Sequence, residues 1–265
     1  MIESTHSPSK GFVWLVGAGP GAPDLITLRG FKLLKEAEAV VYDELANRDL
    51  LEHCPPTCEL HSVGKRAGSH SASQGEINAL LVSLAKAGRK VVRLKGGDPM
   101  VFGRAGEEIE ALRAEGLPFA IVPGVTAATA SSAMAELPLT HRDFSSAVVF
   151  VTGHQCAANT SALDWGALAK LRATLCFYMG VRRLPEIARN LLGHGMNADM
   201  PMALISEATL PTQQVHIGTL RDADKFSTVL TGQAALVVIG DVVKLSSFAA
   251  RVPELHERAS NPAND

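Results

Sequence analysis

Residues 91–108, VVRLKGGDPMVFGRAGEE, constrain the fold more than any other stretch of this chain. Val91-Val92-Arg93-Leu94 is a mostly apolar run, preceded by Arg89 and Lys90, and reads as a buried parallel strand. The run breaks at Gly96-Gly97-Asp98-Pro99. Two glycines permit positive φ and let a ligand approach bare backbone. Pro99 fixes its own φ and keeps Asp98 out of the helical region. A helix can start from Arg104, with Glu107 and Glu108 in its first turns. Strand, glycine loop, helix is the arrangement in which open α/β sheets bind ligands, at the carboxyl ends of their strands.

The rest of the first half repeats that alternation. Strands fit residues 12–17, 39–42, 59–63 and 119–122; helices fit 27–38 and 74–87. Alternating strands and helices imply a parallel sheet. Gly17-x-Gly19, with Asp43 after the second strand, imitates a dinucleotide fingerprint. Pro20 and Pro23 stand where a helix would have to start to receive a pyrophosphate, so the match is poor. After Pro123-Gly124 the composition shifts to the Ala-, Ser- and Thr-rich residues 125–136, a small-residue helix that closes at Pro138. The domain change falls between Pro123 and Ser146, giving an N-terminal α/β domain over 12–122 and a C-terminal one over 123–255. The second half shows strands at 147–151, 174–178, 202–205, 214–218 and 235–239, and helices at 182–192 and 221–226. Only a loop separates the strands at 202 and 214, so the second sheet is expected to be mixed.

Composition removes several function classes. The 265 residues are 46% hydrophobic and 20% charged, enough for a substantial core. A net charge of -2 provides no global basic field for nucleic acid. No apolar stretch has the length of a membrane span. The polar residues 1–10 contain no apolar signal core, which with only 4 Cys suggests a reduced, cytoplasmic compartment. Cys54, Cys58, His53 and His61 lie close together in sequence, but two prolines separate the cysteines and His61 falls on a strand. The expectation is a loop and a strand, with no metal.

Glycine recurs at strand ends: Gly17 to Gly21, Gly64, Gly96-Gly97, Gly153 and Gly180. Lys65, Arg66, Arg104 and Arg142 stand near them as local cations. Guanidinium groups bind carboxylates bidentately, so these residues suit a polyanionic substrate on an otherwise slightly acidic protein.

The strings VGAGPGAPDLITLRG, VVYDEL, VGKRAG, RLKGGDPMVFGRAGEE, PGVTAATASSAMAELPLTHRD, VTGH and FYMG resemble the uroporphyrinogen-III C-methyltransferases, within the tetrapyrrole methylase family. The resemblance runs from about Val13 to Val243 with the motifs in matching order. It implies two α/β domains with a cleft between them, and a homodimer. The implied activity is transfer of two methyl groups from S-adenosylmethionine to uroporphyrinogen III, giving precorrin-2 by way of precorrin-1, toward sirohaem, cobalamin or haem d1. By the same resemblance Pro20, Gly96, Gly97, Asp98, Val101, Thr126, Ala127 and Met179 match cofactor contacts. Ala208 stands where some relatives have glycine, and Ala235 is a weaker candidate on the last strand. Asp43 matches a proton acceptor and Lys65 a proton donor. Arg104, Glu107 and Arg142 match substrate-handling positions, and Arg66 adds a cation beside Lys65.

The chemistry is consistent with those roles. A sulfonium methyl donor is already activated, so the protein must mainly align sulfur, methyl and pyrrole carbon, without a metal. A carboxylate such as Asp43 can take the proton the ring gives up. Arg104 stays protonated and suits a clamp better than a base. Plainer readings exist for single residues: Asp43 as a helix cap, Lys65 and Arg66 as a solvated loop, Met179 as core filling. Two other functions stand beside the main one. One is a methylase acting on a later corrin precursor; the other is a non-catalytic ligand-binding protein on the same fold. The absence of a recognisable dehydrogenase/chelatase segment leads to an expectation of methylation alone.

Overall fold

The computed structural model describes residues 11–64, 72–153, 163–229 and 233–251. Lys65, Arg66, His154 and Cys156 therefore lie outside the described residues. These residues form two compact units, divided between Ala127 and Ala128. The sequence reading brackets the change between Pro123 and Ser146 and draws its first domain to Val122. Residues 123–126 stay with the first unit because Gly124 packs its backbone directly on Gly17 and Gly97.

In the first unit the order is β1 (Phe12–Gly17), α1 (Leu28–Lys35), β2 (Ala39–Tyr42), β3 (Glu59–Ser62), α2 (Gln74–Lys86), β4 (Lys90–Lys95), α3 (Ala105–Ala114) and β5 (Phe119–Val122). The strands form one sheet ordered β3-β2-β4-β1-β5. Every pairing in it is parallel, as the alternation predicts. Helix starts follow local chemistry. The Thr27 hydroxyl accepts the Gly30 N–H at 3.1 Å to start α1. Ser73 and Glu76 form a reciprocal capping box at α2. Both faces of the sheet are covered. Val16, Val40, Val92 and Leu94 pack with Leu34 of α1. Val13, Leu15, Val41 and Val91 pack under Leu81 of α2 and Ile109 and Leu112 of α3.

The second unit begins with α4 (Ala127–Met134), then β6 (Val148–Thr152), α5 (Trp165–Lys170), β7 (Thr174–Tyr178), α6 (Leu184–Gly193), β8 (Pro201–Ser206), β9 (Gln214–Thr219), α7 (Ala223–Val229) and β10 (Ala235–Ile239). Its sheet is ordered β6-β7-β10-β8-β9. Only β6 and β7 run parallel; β10 is antiparallel to both neighbours, and β8 to β9. The sheet is thus mixed, as expected. Helix α4 is shorter at both ends than the residues 125–136 the composition suggests. Helix α5 has no counterpart in the sequence reading. It is a short helix whose start is capped by Asp164, accepting from Ala167 N–H at 2.8 Å.

Candidate functional site

The carboxyl ends of β1, β2 and β4 form one edge of the first sheet, and the glycines determine how close their loops come. Gly19 and Gly97 form an isolated bridge, Gly97 N–H donating to Gly19 O at 2.7 Å and Gly19 N–H to Gly97 O at 3.2 Å. A side chain on Gly17 would strike Gly124 Cα at 2.6 Å, and one on Gly124 would strike Gly97 O at 2.3 Å. Gly97 itself, at φ 69°, faces room: its nearest neighbour would be Thr126 Cα at 3.9 Å. A ligand can therefore lie against bare backbone there. The room is at Gly97 alone: a side chain on Gly96 would strike Leu45 Cβ at 2.7 Å. Pro20 follows the bridge on the β1 loop.

Asp98 organises this edge. Its carboxylate accepts Met100 N–H at 2.8 Å and Gly124 N–H at 3.0 Å, stitching the β4 loop to the segment after β5. The Val101 N–H donates to Asp98 O at 3.3 Å. Beyond it the chain is contorted: Phe102 and Arg104 both adopt left-handed φ, at 52° and 57°. That conformation is unusual for residues with a Cβ and indicates a backbone held by its surroundings. The helix expected from Arg104 therefore starts at Ala105, with Arg104 as a left-handed cap residue whose side chain makes no cap bond. Its guanidinium instead grips Glu107 through both carboxylate oxygens, at 2.8 and 2.9 Å. That pairing holds the Glu107 carboxyl below its ordinary value. Both side chains are exposed.

Beside this loop lies a cluster the sequence reading did not identify. Arg93 and Lys95 alternate along β4 and so share the face that α3 covers. Glu108, wholly buried on α3, accepts Arg93 Nε–H at 2.9 Å and Lys95 Nζ–H at 2.8 Å on the same oxygen. Arg93, with 2% side-chain exposure, extends Nη2 to Asp43 Oδ1 at 2.5 Å. Its Nη1 donates to Val41 O and Leu94 O at 3.3 and 3.4 Å. Asp43 therefore does not cap the following helix; it is the partly exposed end of a buried ion-pair row. Burial first, and Arg93 second, push the Lys95 ammonium below its ordinary pKa. The available sequence signal was two charges at alternating positions inside an apolar strand.

The second unit gathers its own candidates. Met179 follows β7, Ala208 follows β8, and Ala235 opens β10, which pairs with Tyr178 through Leu236 and with Ser206 through Ala235. All three thus fall at one edge of the second sheet. The backbone there is strained: Met179, Glu207 and Thr209 have φ of 54°, 47° and 75°. Met179 is 56% exposed, so it is not core filling. Ala128 N–H, next to Ala127 on α4, donates to the Tyr178 hydroxyl at 3.0 Å. Arg142 is exposed on the turn closed by the His141–Ser145 bridge. Cys54 and Cys58 are half-buried; burial, together with Cys58, pushes the Cys54 thiol up to about 12. Among the described residues no group of three or more His, Cys, Asp or Glu could hold a metal ion.

Two α/β units, each presenting a ligand-ready sheet edge of glycines and strained turns, define a small-molecule enzyme class rather than a scaffold. The sequence pattern of the Tetrapyrrole (Corrin/Porphyrin) Methylases matches residues 13–224, and the chain belongs to that family. It is 50% identical over 246 residues to siroheme synthase 1 of Pectobacterium atrosepticum, covering 92% of this chain and 50% of that protein. It is 45% identical to a siroheme synthase of Thiobacillus denitrificans, covering 92% and 51%. The chain thus spans about half the length of these relatives. Among solved structures, uroporphyrin-III C-methyl transferase from Thermus thermophilus superposes with TM-score 0.76 at 39% identity, covering 89% of this chain and 100% of that one. The same enzyme has been solved with S-adenyl homocysteine bound. A cobalt precorrin-4 methyltransferase superposes with TM-score 0.78 at 29% identity, covering 88% and 95%.

Proposed function

We propose that this protein is an S-adenosylmethionine-dependent C-methyltransferase that methylates uroporphyrinogen III twice, giving precorrin-2 by way of precorrin-1. The observation that carries the reading is the first sheet's edge. There a carboxylate held by a guanidinium, Asp43 on Arg93, follows the strand next to the one that runs into the loop with open backbone at Gly97.

When bound, S-adenosylmethionine supplies an activated methyl group and leaves as S-adenosylhomocysteine. In the first unit Pro20, Gly96, Gly97, Val101, Thr126 and Ala127 would hold it, with Asp98 shaping the loop; in the second unit Met179, Ala208 and Ala235 are assigned to the same cofactor by the resemblance. Asp43 accepts the proton that the methylated ring gives up, and Lys65 returns one. Arg104 and Glu107 act as a pair, and with Arg66 and Arg142 they orient the substrate's acetate and propionate groups. An electrophile this activated needs no metal ion. The same reading carries a cytoplasmic homodimer.

The test is to incubate the purified protein with uroporphyrinogen III and S-adenosylmethionine, with and without chelator, and to read the product spectrum. Precorrin-2 in both samples is expected. Methyl transfer only to a later corrin precursor, or none to any tetrapyrrole, would overturn the proposal.

A further inference from the structure

Arg93 and Lys95 are two cations on one face of a strand buried in the middle of a sheet. The carboxylate that meets them, Glu108, has no exposure. Of the four charges in the row, only Asp43 reaches the surface, with 31% of its side chain exposed. A guanidinium is planar, so fixing Nε determines where Nη2 points. Glu108 takes Nε, two backbone carbonyls take Nη1, and Nη2 is left aimed at Asp43 Oδ1. The row therefore runs Lys95–Glu108–Arg93–Asp43, with two positive and two negative groups in contact.

We propose that Glu108 is a positioning residue for the methyl transfer, its buried carboxylate fixing Arg93 and Arg93 in turn fixing Asp43 at the sheet edge. This rests on the reading of Asp43 as the proton acceptor. A carboxylate pinned by a guanidinium stays in one place, which is what a base that must reach a single ring position requires. Glu108 sits 15 residues along the chain from Arg93 and reaches Asp43 through it, while its other partner, Lys95, closes β4 just before Gly96.

Among the described residues, the charges flanking Asp43 have partners of their own. Glu44 pairs with Arg48 at 3.6 Å on the surface. His61, in register with Val41 on β3, lies 3.6 Å from Glu59. The residues that α2 sends into this core, Ile77, Leu81 and Ala85, carry no charge.

The experiment reads kcat, KM for uroporphyrinogen III and Kd for S-adenosylmethionine side by side in the full protein. Glu108→Asp keeps the charge but draws it back by one methylene, so kcat falls about tenfold or more, while Kd for S-adenosylmethionine stays within about twofold. Wild-type kcat in Glu108→Asp, or parallel loss of kcat and cofactor affinity, would overturn the proposal. Asp43→Asn separates the two readings: full turnover there removes Asp43 as proton acceptor, whereas in the Asp43→Asn background a positioning Glu108 has nothing left to position, so adding Glu108→Asp should lower kcat no further; an undiminished further loss would overturn the proposal.

Discussion

The two sheets have five strands each, with β4 in the middle of one and β10 in the middle of the other. Both strands are buried along nearly their whole length. They differ in what they bury. β10 reads ALVVI and packs Val237 and Ile239 against α6 and α7, with Leu236 and Val238 on the opposite face. β4 reads KVVRLK and buries a guanidinium and an ammonium where β10 buries only hydrocarbon. A buried ion pair is weak evidence for stability, because desolvation offsets the attraction. A charged strand at the centre of one sheet, beside an apolar strand in an equivalent place, therefore marks where the chain gave up packing for chemistry.

The largest effect expected from breaking this contrast is on catalysis. Asp43→Asn removes the exposed end of the charged row. It should lower turnover about 10²- to 10⁴-fold, with S-adenosylmethionine binding by calorimetry nearly unchanged. Parallel loss of both would point to damage of the loop instead.

The next effect is on stability. Glu108→Ala leaves two buried cations without their carboxylate and should cost about 3–5 kcal/mol in urea unfolding. Val237→Ala, the apolar counterpart on β10, should cost about 2 kcal/mol from two lost carbons and a small cavity. Equal costs would erase the distinction between the two central strands.

A pH test sharpens it further. Burial and Arg93 hold the Lys95 pKa below its ordinary 10.5 in the folded protein. Between those two values the unfolded chain binds more protons than the folded one, so stability should climb with pH across that window. It should level off once both states are neutral. Lys95→Met should flatten the climb in unfolding measurements across that range; an unchanged slope would assign it to another group.

The smallest effect is in the apolar sheet. Ser206 is fully buried beside β10, and its hydroxyl has no partner among the described residues. Ser206→Ala should therefore be neutral or stabilise by about 1 kcal/mol. A clear loss of stability would mean that the second sheet also depends on a polar contact.

Much of this arrangement was legible in the residues. Apolar runs alternating with helical spacing give the parallel first sheet, and the loop between residues 202 and 214 gives the antiparallel β8–β9 pair. Glycines at strand ends mark both edges. The buried row was not legible, because Arg93 and Lys95 look like ordinary polar interruptions until Glu108 arrives from α3 to meet them. The left-handed turn at Arg104 was hidden for a similar reason. Nothing local favours it, and the surrounding loop imposes it. Helix α5 is too short to show a period, and only its Asp164 cap distinguishes it. The sequence suggests Arg104 as a clamp for substrate carboxylates; its pairing with Glu107 is visible only once the side chains are placed.

The contact of Gly17, Gly97 and Gly124 has a consequence for how the family can drift. The atoms an added methyl would strike at Gly17 and Gly124 are main chain, not side chain. No second substitution can trim a backbone atom, so neither loss has a compensating partner. In a library of random variants these two positions should behave as absolute requirements, immune to rescue.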